Sequence, residues 1–206
     1  MTSILIANPK GGAGKSTLAT NLATYFAWQS QSVMLGDVDQ QQSSRFWLGT
    51  RPGNLPAIQG WCIEEGQPAK PPKGVRYAVL DTPAGLHGKK LETVLKRIDR
   101  ILVPVQPSAF DMWASRAFFE VLAQEKAIRK QQIQIGVVGM RVDQRTRSAQ
   151  QLADFLAEFD LPVLGCLRET QLYVKLAGLG MGIFDLAYSQ SIRDREQWQP
   201  IVDWCG

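Results

Sequence analysis

Eight consecutive residues, Lys10-Gly11-Gly12-Ala13-Gly14-Lys15-Ser16-Thr17, combine three glycines with two lysines and two hydroxyls. Glycines have no Cβ, so a loop built on them turns tightly and brings its N–H groups against the oxygens of a phosphate. Lys15 has the reach and charge to meet β- and γ-phosphates, and the Ser16 hydroxyl is a hard oxygen donor suited to Mg²⁺. The loop follows the apolar run Ile4-Leu5-Ile6-Ala7 and opens a helical stretch, whose N-terminus adds favourable partial charge. The segment therefore predicts a site that holds ATP or ADP by its phosphates, with Mg²⁺, as part of a hydrolytic switch.

Such a loop works only if strands and helices hold it. Short apolar runs read as buried strands at Ile4–Ala7, Val33–Leu35, Ala78–Leu80, Ile101–Val103, Ile135–Val138 and Val163–Gly165. Helical stretches lie between several of them: Leu18–Trp28, Trp113–Ile128 and Ser148–Phe159, the last with Leu152, Phe155, Leu156 and Phe159 along one face. This alternation predicts an α/β fold with a mostly parallel twisted sheet and helices on both faces. The stretch from Arg51 to Gly74, with Pro52, Pro56, Pro68, Pro71 and Pro72, reads as an irregular excursion.

Composition narrows the setting. A chain of 206 residues with 45% hydrophobic composition suits one sizeable core, and a single domain over 1–206 is expected. Cys62, Cys166 and Cys205 are widely spaced, without a metal-binding pattern, which suits a reducing cytosol. No apolar run approaches the roughly 18 to 20 residues that span a bilayer, and Met1-Thr2-Ser3 leads into a strand without a signal-like preamble; neither export nor membrane spanning is expected. The formal charge of +4 favours an anionic partner.

The loop departs from the ordinary G-x-x-x-x-G-K-[ST] pattern, because Pro9 stands at the first glycine position and Lys10 follows it. With that change it resembles the deviant Walker A signature K-G-G-x-G-K-[ST] of the ParA/MinD family, in particular its short single-domain ParA-like branch. The resemblance implies a P-loop NTPase fold and an ATPase with slow basal hydrolysis. In that family the extra lysine, here Lys10, reaches across a homodimer to the partner subunit's nucleotide. The family's D-x-D-P-Q segment is matched by Asp37-Val38-Asp39-Gln40-Gln41, with Gln40 in place of proline. Asp39 is then the carboxylate that positions the attacking water, and Asp37 supports the Mg²⁺ shell. Tyr77-Ala78-Val79-Leu80-Asp81 matches a Walker B segment, in which Asp81 holds Mg²⁺ through water. Lys10, Lys15 and Asp39 are thus the catalytic candidates, and Ser16, Asp37 and Asp81 the metal candidates. Met140 stands where the family often has an adenine-reading asparagine; Met140 and Arg141 are expected to pack on the base.

The resemblance also frames the partners. No DNA-reading domain is expected ahead of Ile4, which points to nonspecific DNA held by an ATP-dependent dimer. Arg145, Arg147, Arg168, Lys175, Arg193 and Arg195, together with Arg141, are the candidate phosphate contacts. A ParB-like or cargo-adaptor protein would stimulate hydrolysis, and the location would be cytoplasmic and nucleoid-associated. Two alternatives stand beside this reading. One is a MinD-like membrane switch using Ile192–Trp204 as an amphipathic helix, which is disfavoured by Pro200 and by Asp194, Glu196 and Asp203. The other is a metabolic enzyme on the same loop, such as an amidoligase or a nitrogenase-type reductase; the latter needs cluster cysteines. His87, the only histidine, is assigned no role.

Overall fold

The computed structural model describes residues 1–38, 42–62, 74–130 and 132–206, with Cys62 described by its backbone alone. Among them, seven strands form one parallel sheet: β1 (Thr2–Ile6), β2 (Val33–Asp37), β3 (Gln59–Cys62), β4 (Tyr77–Asp81), β5 (Arg100–Val105), β6 (Gln134–Met140) and β7 (Val163–Leu167). Their order is β3-β2-β4-β1-β5-β6-β7, and every pairing is parallel. The helices are α1 (Lys15–Trp28), α2 (Ser43–Thr50), α3 (Gly88–Leu95), α4 (Ala109–Gln124), α5 (Lys126–Arg129), α6 (Arg147–Leu156), α7 (Gln171–Gly178) and α8 (Tyr188–Cys205). A 3₁₀ turn covers Ile183–Asp185.

Two apolar layers sandwich the sheet, as expected for buried parallel strands. On one face, Leu18, Leu22 and Phe26 of α1 meet Trp47 of α2, Leu176 of α7 and Trp198 of α8. On the other, α3, α4 and α6 pack through Leu91, Phe118, Leu122 and Leu152. Helices α1 and α3, which follow the adjacent strands β1 and β4, therefore lie on opposite faces. That divergence opens a crevice at the carboxyl ends of the two strands, the position at which open α/β sheets bind ligands. Register completes the geometry: Ile6 pairs with Asp81, and Asp37 also pairs with Asp81. Side chains alternate along a strand, and Leu35 and Val79 face α1, so Asp37 and Asp81 project to that same face.

Several elements differ from the sequence reading. The segment read as irregular from Arg51 contains the edge strand β3, whose Gln-Gly-Trp-Cys sequence carries no apolar run to announce it. Helix α4 starts earlier than expected, at a Ser108 cap whose hydroxyl accepts from Asp111 N, and it ends at extended Glu125 before α5 begins. Helix α6 starts at a Thr146 cap and stops at Leu156, short of Phe159. Helix α8 runs through Pro200 without ending there. Pro200 is on the exposed side, while Trp198, Ile201, Val202 and Cys205 are buried in the core. The apolar face of the C-terminal helix is thus committed to the fold rather than available to a lipid surface. Among the described residues no helix is long and apolar enough to cross a membrane.

Candidate nucleotide site

The loop after β1 has the backbone its sequence demands. Gly12 (φ +77°) and Gly14 (φ +100°) both lie in the left-handed region that other residues reach at a cost. A Cβ at Gly14 would also come 2.7 Å from Met140 Cε, so the end of that flexible side chain would have to move aside. Asn8 anchors the loop's entry: its Nδ2 donates to Pro104 O at 2.7 Å, and its Oδ1 accepts from Lys10 N at 2.8 Å. Gln106 Nε2 donates to Gly12 O at 2.6 Å and ties the loop's crown to the end of β5. Lys15 is 7% exposed, and its Nζ donates to Lys10 O at 2.9 Å. A buried ammonium needs hydrogen-bond acceptors and negative charge, and the phosphates of a nucleotide supply both.

Asp81 sits at the floor, 1% exposed. Ser44 Oγ, from the first turn of α2, donates to Asp81 Oδ2 at 2.7 Å, whereas the buried Oδ1 has no hydrogen-bond partner. Burial raises the pKa of Asp81 to about 6, against the lowering influence of the Ser16 and Ser44 hydroxyls. Its neighbour Asp37 accepts from Ser44 N at 2.8 Å and Arg45 N at 3.2 Å, so it caps α2 from outside the helix. These residues fit a hard divalent cation. Ser16, Asp81 and Asp37 offer oxygen donors, and the unpartnered Asp81 oxygen is the kind that an ion or its water shell would satisfy. Mg²⁺ characteristically takes one or two protein oxygens, with water and phosphate completing its shell.

Lys10 lies at the mouth of the loop and does not point into it. Its Nζ is ion-paired to Asp111 on α4, a residue 3% exposed that also accepts from the Ser108 hydroxyl. Phe110 lies alongside, with Lys10 Nζ 6.0 Å from its ring centroid. Sequence reasoning missed Asp111, Ser44, Asn8 and Gln106. Only Asp111 left a signal, the Ser-x-x-Asp spacing of a helix start at Ser108. Asp39 lies outside the described residues. Gly11, Gly12, Ala13, Gly14, Lys15, Ser16 and Thr17 are brought together as the loop and the first turn of α1.

Three expectations need correction. Met140 is 4% exposed and packs beneath Gly14 as part of the core, so it props the phosphate loop rather than presenting itself to a base. Arg141, exposed and at φ +54°, remains free of that packing role. Arg168 is held in a bidentate pair with buried Asp194, through Nε–Oδ1 at 2.8 Å and Nη2–Oδ2 at 3.0 Å. Arg195 donates to Ser191 Oγ and to the carbonyls of Phe184 and Leu186, which locks it against the 3₁₀ turn. Both arginines are thus engaged within the fold, which sequence spacing could not show. Arg145 is exposed but paired with Asp143, holding that carboxyl down at about 2. Arg147, Lys175 and Arg193 are exposed.

Residues 4–183 match the model of the CobQ/CobB/MinD/ParA nucleotide binding domain family. The chain belongs to that family. It is an ATPase, and its resemblance to the ParA/MinD branch holds at the level of the whole fold. Among curated proteins, Maintenance of carboxysome distribution protein A of Halothiobacillus neapolitanus is 25% identical over 190 residues, covering 89% of this chain and 87% of that protein. Among solved structures, a plasmid partition protein of Borrelia burgdorferi bound to AMPPNP superposes with a TM-score of 0.74 at 19% identity, over 98% of this chain and 99% of the other. The septum site-determining protein MinD of Pyrococcus horikoshii, complexed with Mg-ADP, gives a TM-score of 0.71 at 16% identity, over 98% and 95% of the two chains. The two structural likenesses concern the fold.

Proposed function

We propose that this protein is a partition or positioning switch: it dimerises with ATP, binds nonspecific DNA, and releases when a partner stimulates hydrolysis. The observation that carries the reading is Lys10, a second loop lysine whose partly exposed ammonium is paired with Asp111 of its own chain. A lysine with no task at its own phosphates is suited to one across an interface. Supporting this, Phe110 is 71% and Trp113 65% exposed, an edge-to-face pair beside Lys10. Exposed aromatics at a site's rim are characteristic anchors of a protein contact.

In the working cycle, the backbone N–H groups of the loop and Lys15 hold the phosphates, and Ser16 with Asp81 holds the cation side. Bound Mg²⁺ would neutralise charge on the phosphates. Asp39 orients the attacking water, and Asp37, by capping α2, couples that water-positioning segment to the helix behind it. The whole chain acts as one ParA-like domain in the cytoplasm, associated with the nucleoid. Its DNA contacts come from Arg147, Lys175 and Arg193, with Arg141 and Arg145 beside them. A ParB-like or cargo-adaptor protein triggers release. The cargo belongs to the class that such relatives serve, a plasmid, a chromosome or a protein microcompartment such as the carboxysome.

The test is binding to nonspecific double-stranded DNA with ATP, with ADP and without nucleotide, at two salt concentrations, beside Lys10→Ala and Lys15→Ala. The expected result is an ATP-dependent, salt-sensitive increment abolished in both variants. An ATP-loaded dimer with no such increment would remove DNA from the proposal and leave the nucleotide switch standing.

A further inference from the structure

Asp37 and Asp81 end neighbouring strands in register, close enough for the charge of one to bear on the other. Carboxylates so placed need donors, and one residue serves both. Ser44 is 0% exposed; its backbone N–H donates to Asp37 Oδ2 at 2.8 Å and its hydroxyl to Asp81 Oδ2 at 2.7 Å. The result at Asp81 is unequal. Oδ2 is engaged, whereas Oδ1 is buried and has no hydrogen-bond partner among the described residues. The helix that carries Ser44 is fixed at its far end, so the hydroxyl cannot follow Asp81 if the carboxylate turns. Trp47 is buried in the core with its Nε1 donating to Met181 O at 3.2 Å, and Arg51, just past α2, donates to Asp185 and to the carbonyls of Pro56 and Gly180. At the near end Gln42 supplies no side-chain cap, and the first-turn N–H groups of Ser44 and Arg45 rest on Asp37 instead.

We propose that Ser44 sets the cation specificity of this site: by holding Asp81 Oδ2 it leaves the carboxylate a single oxygen, Oδ1, to offer, and so favours Mg²⁺ over Ca²⁺. Ca²⁺ takes about six to eight oxygens in flexible geometry and readily uses both oxygens of one carboxylate, whereas the smaller Mg²⁺ keeps an octahedral shell with several of its own waters. A carboxylate with one oxygen already engaged suits Mg²⁺ and handicaps Ca²⁺. Ser44 is a positioning residue, acting through Asp81. Partners of this kind fix a ligand's orientation, and losing one typically lowers metal affinity about 10–100-fold. The inference rests on the placement of Mg²⁺ at Asp81 and is independent of the dimer, of DNA and of the cycle proposed above.

The test uses the ADP-loaded protein and measures Mg²⁺ and Ca²⁺ binding separately by calorimetry. Ser44→Ala keeps the backbone N–H on Asp37 and removes only the hydroxyl. It is expected to weaken Mg²⁺ by about tenfold or more while Ca²⁺ affinity holds or rises, so that the preference for Mg²⁺ falls by at least about tenfold. Affinity for metal-free ADP should not change. Ser44→Cys fills the same space with a weak donor and should lose the preference likewise. A wild-type preference in either variant, once urea unfolding shows that it is folded, would overturn the inference. So would an equal loss for both ions, which would mean that the hydroxyl only satisfies a buried carboxylate. Asp81→Asn tests the placement beneath: if that variant binds both ions as the wild type does, the cation is not held at Asp81, and the inference falls with it.

Discussion

Replacing Asp111 by asparagine removes the carboxylate that holds Lys10 against its own chain while leaving an acceptor for the Ser108 hydroxyl. In the pair, the Asp111 side chain is 3% exposed but that of Lys10 is 35% exposed, so much of the attraction is screened by solvent. A pair of that kind is worth about 1 kcal/mol. If Lys10 of each subunit must leave Asp111 to reach the partner's nucleotide, dimer formation gives up two pairs, about 2 kcal/mol, which corresponds to roughly a 30-fold change in the dimer dissociation constant. Asp111→Asn should therefore tighten the ATP-dependent dimer by about that factor. Sedimentation velocity over a concentration series, with a non-hydrolysable ATP analogue, reads this directly. An unchanged constant in a folded variant would refute the idea that the pair opposes dimerisation. A weaker dimer would mean that Asp111 belongs to the interface itself.

Three further outcomes follow from the packing. Gly14→Ala places a Cβ 2.7 Å from Met140 Cε at φ +100°, and left-handed backbone costs an alanine about 1–2 kcal/mol; nucleotide affinity measured by calorimetry should fall by about tenfold or more. Adding Met140→Ala relieves the contact but not the backbone cost, so full recovery would show that the backbone argument is wrong. Asp185→Ala breaks a bidentate pair with Arg51, whose side chains are 0% and 5% exposed, and also strips the acceptor from Gly182 N and Trp28 Nε1. Urea unfolding should show a loss of about 3–5 kcal/mol, and a loss below about 1 kcal/mol would contradict the reading that these two side chains form a buried, mutually dependent pair. Burial pushes the Cys205 thiol up to about 12, so at pH 8 its reactive thiolate is about one part in ten thousand. Cys205 should resist alkylation in the folded protein and react fully once it is denatured, as peptide mass spectrometry would show.

The parts of this protein that could be read from the chain are those whose physics is local. Lys10 to Thr17 is one contiguous loop, and its glycines, lysines and hydroxyls act through backbone geometry that a few neighbouring residues determine. Asp81 ends a buried apolar run, so its place at the carboxyl end of a strand was legible, as was the alternation that makes the sheet parallel. Longer-range decisions were not. Asp111 is 101 positions from Lys10, and no local pattern says that the two will pair. The sequence offered Met140 as a neighbour of the base, but burial turned it under Gly14. Arg168 and Arg195 looked like members of a basic face until Asp194 and the carbonyls of Phe184 and Leu186 claimed them. Pro200 looked like a break, yet α8 runs through it because the buried side of that turn, from Trp198 to Val202, has a core to fill. Local patterns determined which phosphates this chain can hold. Tertiary structure decided which cations are left over to act on anything else, because a charge is available to a partner only when the fold has not already neutralised it.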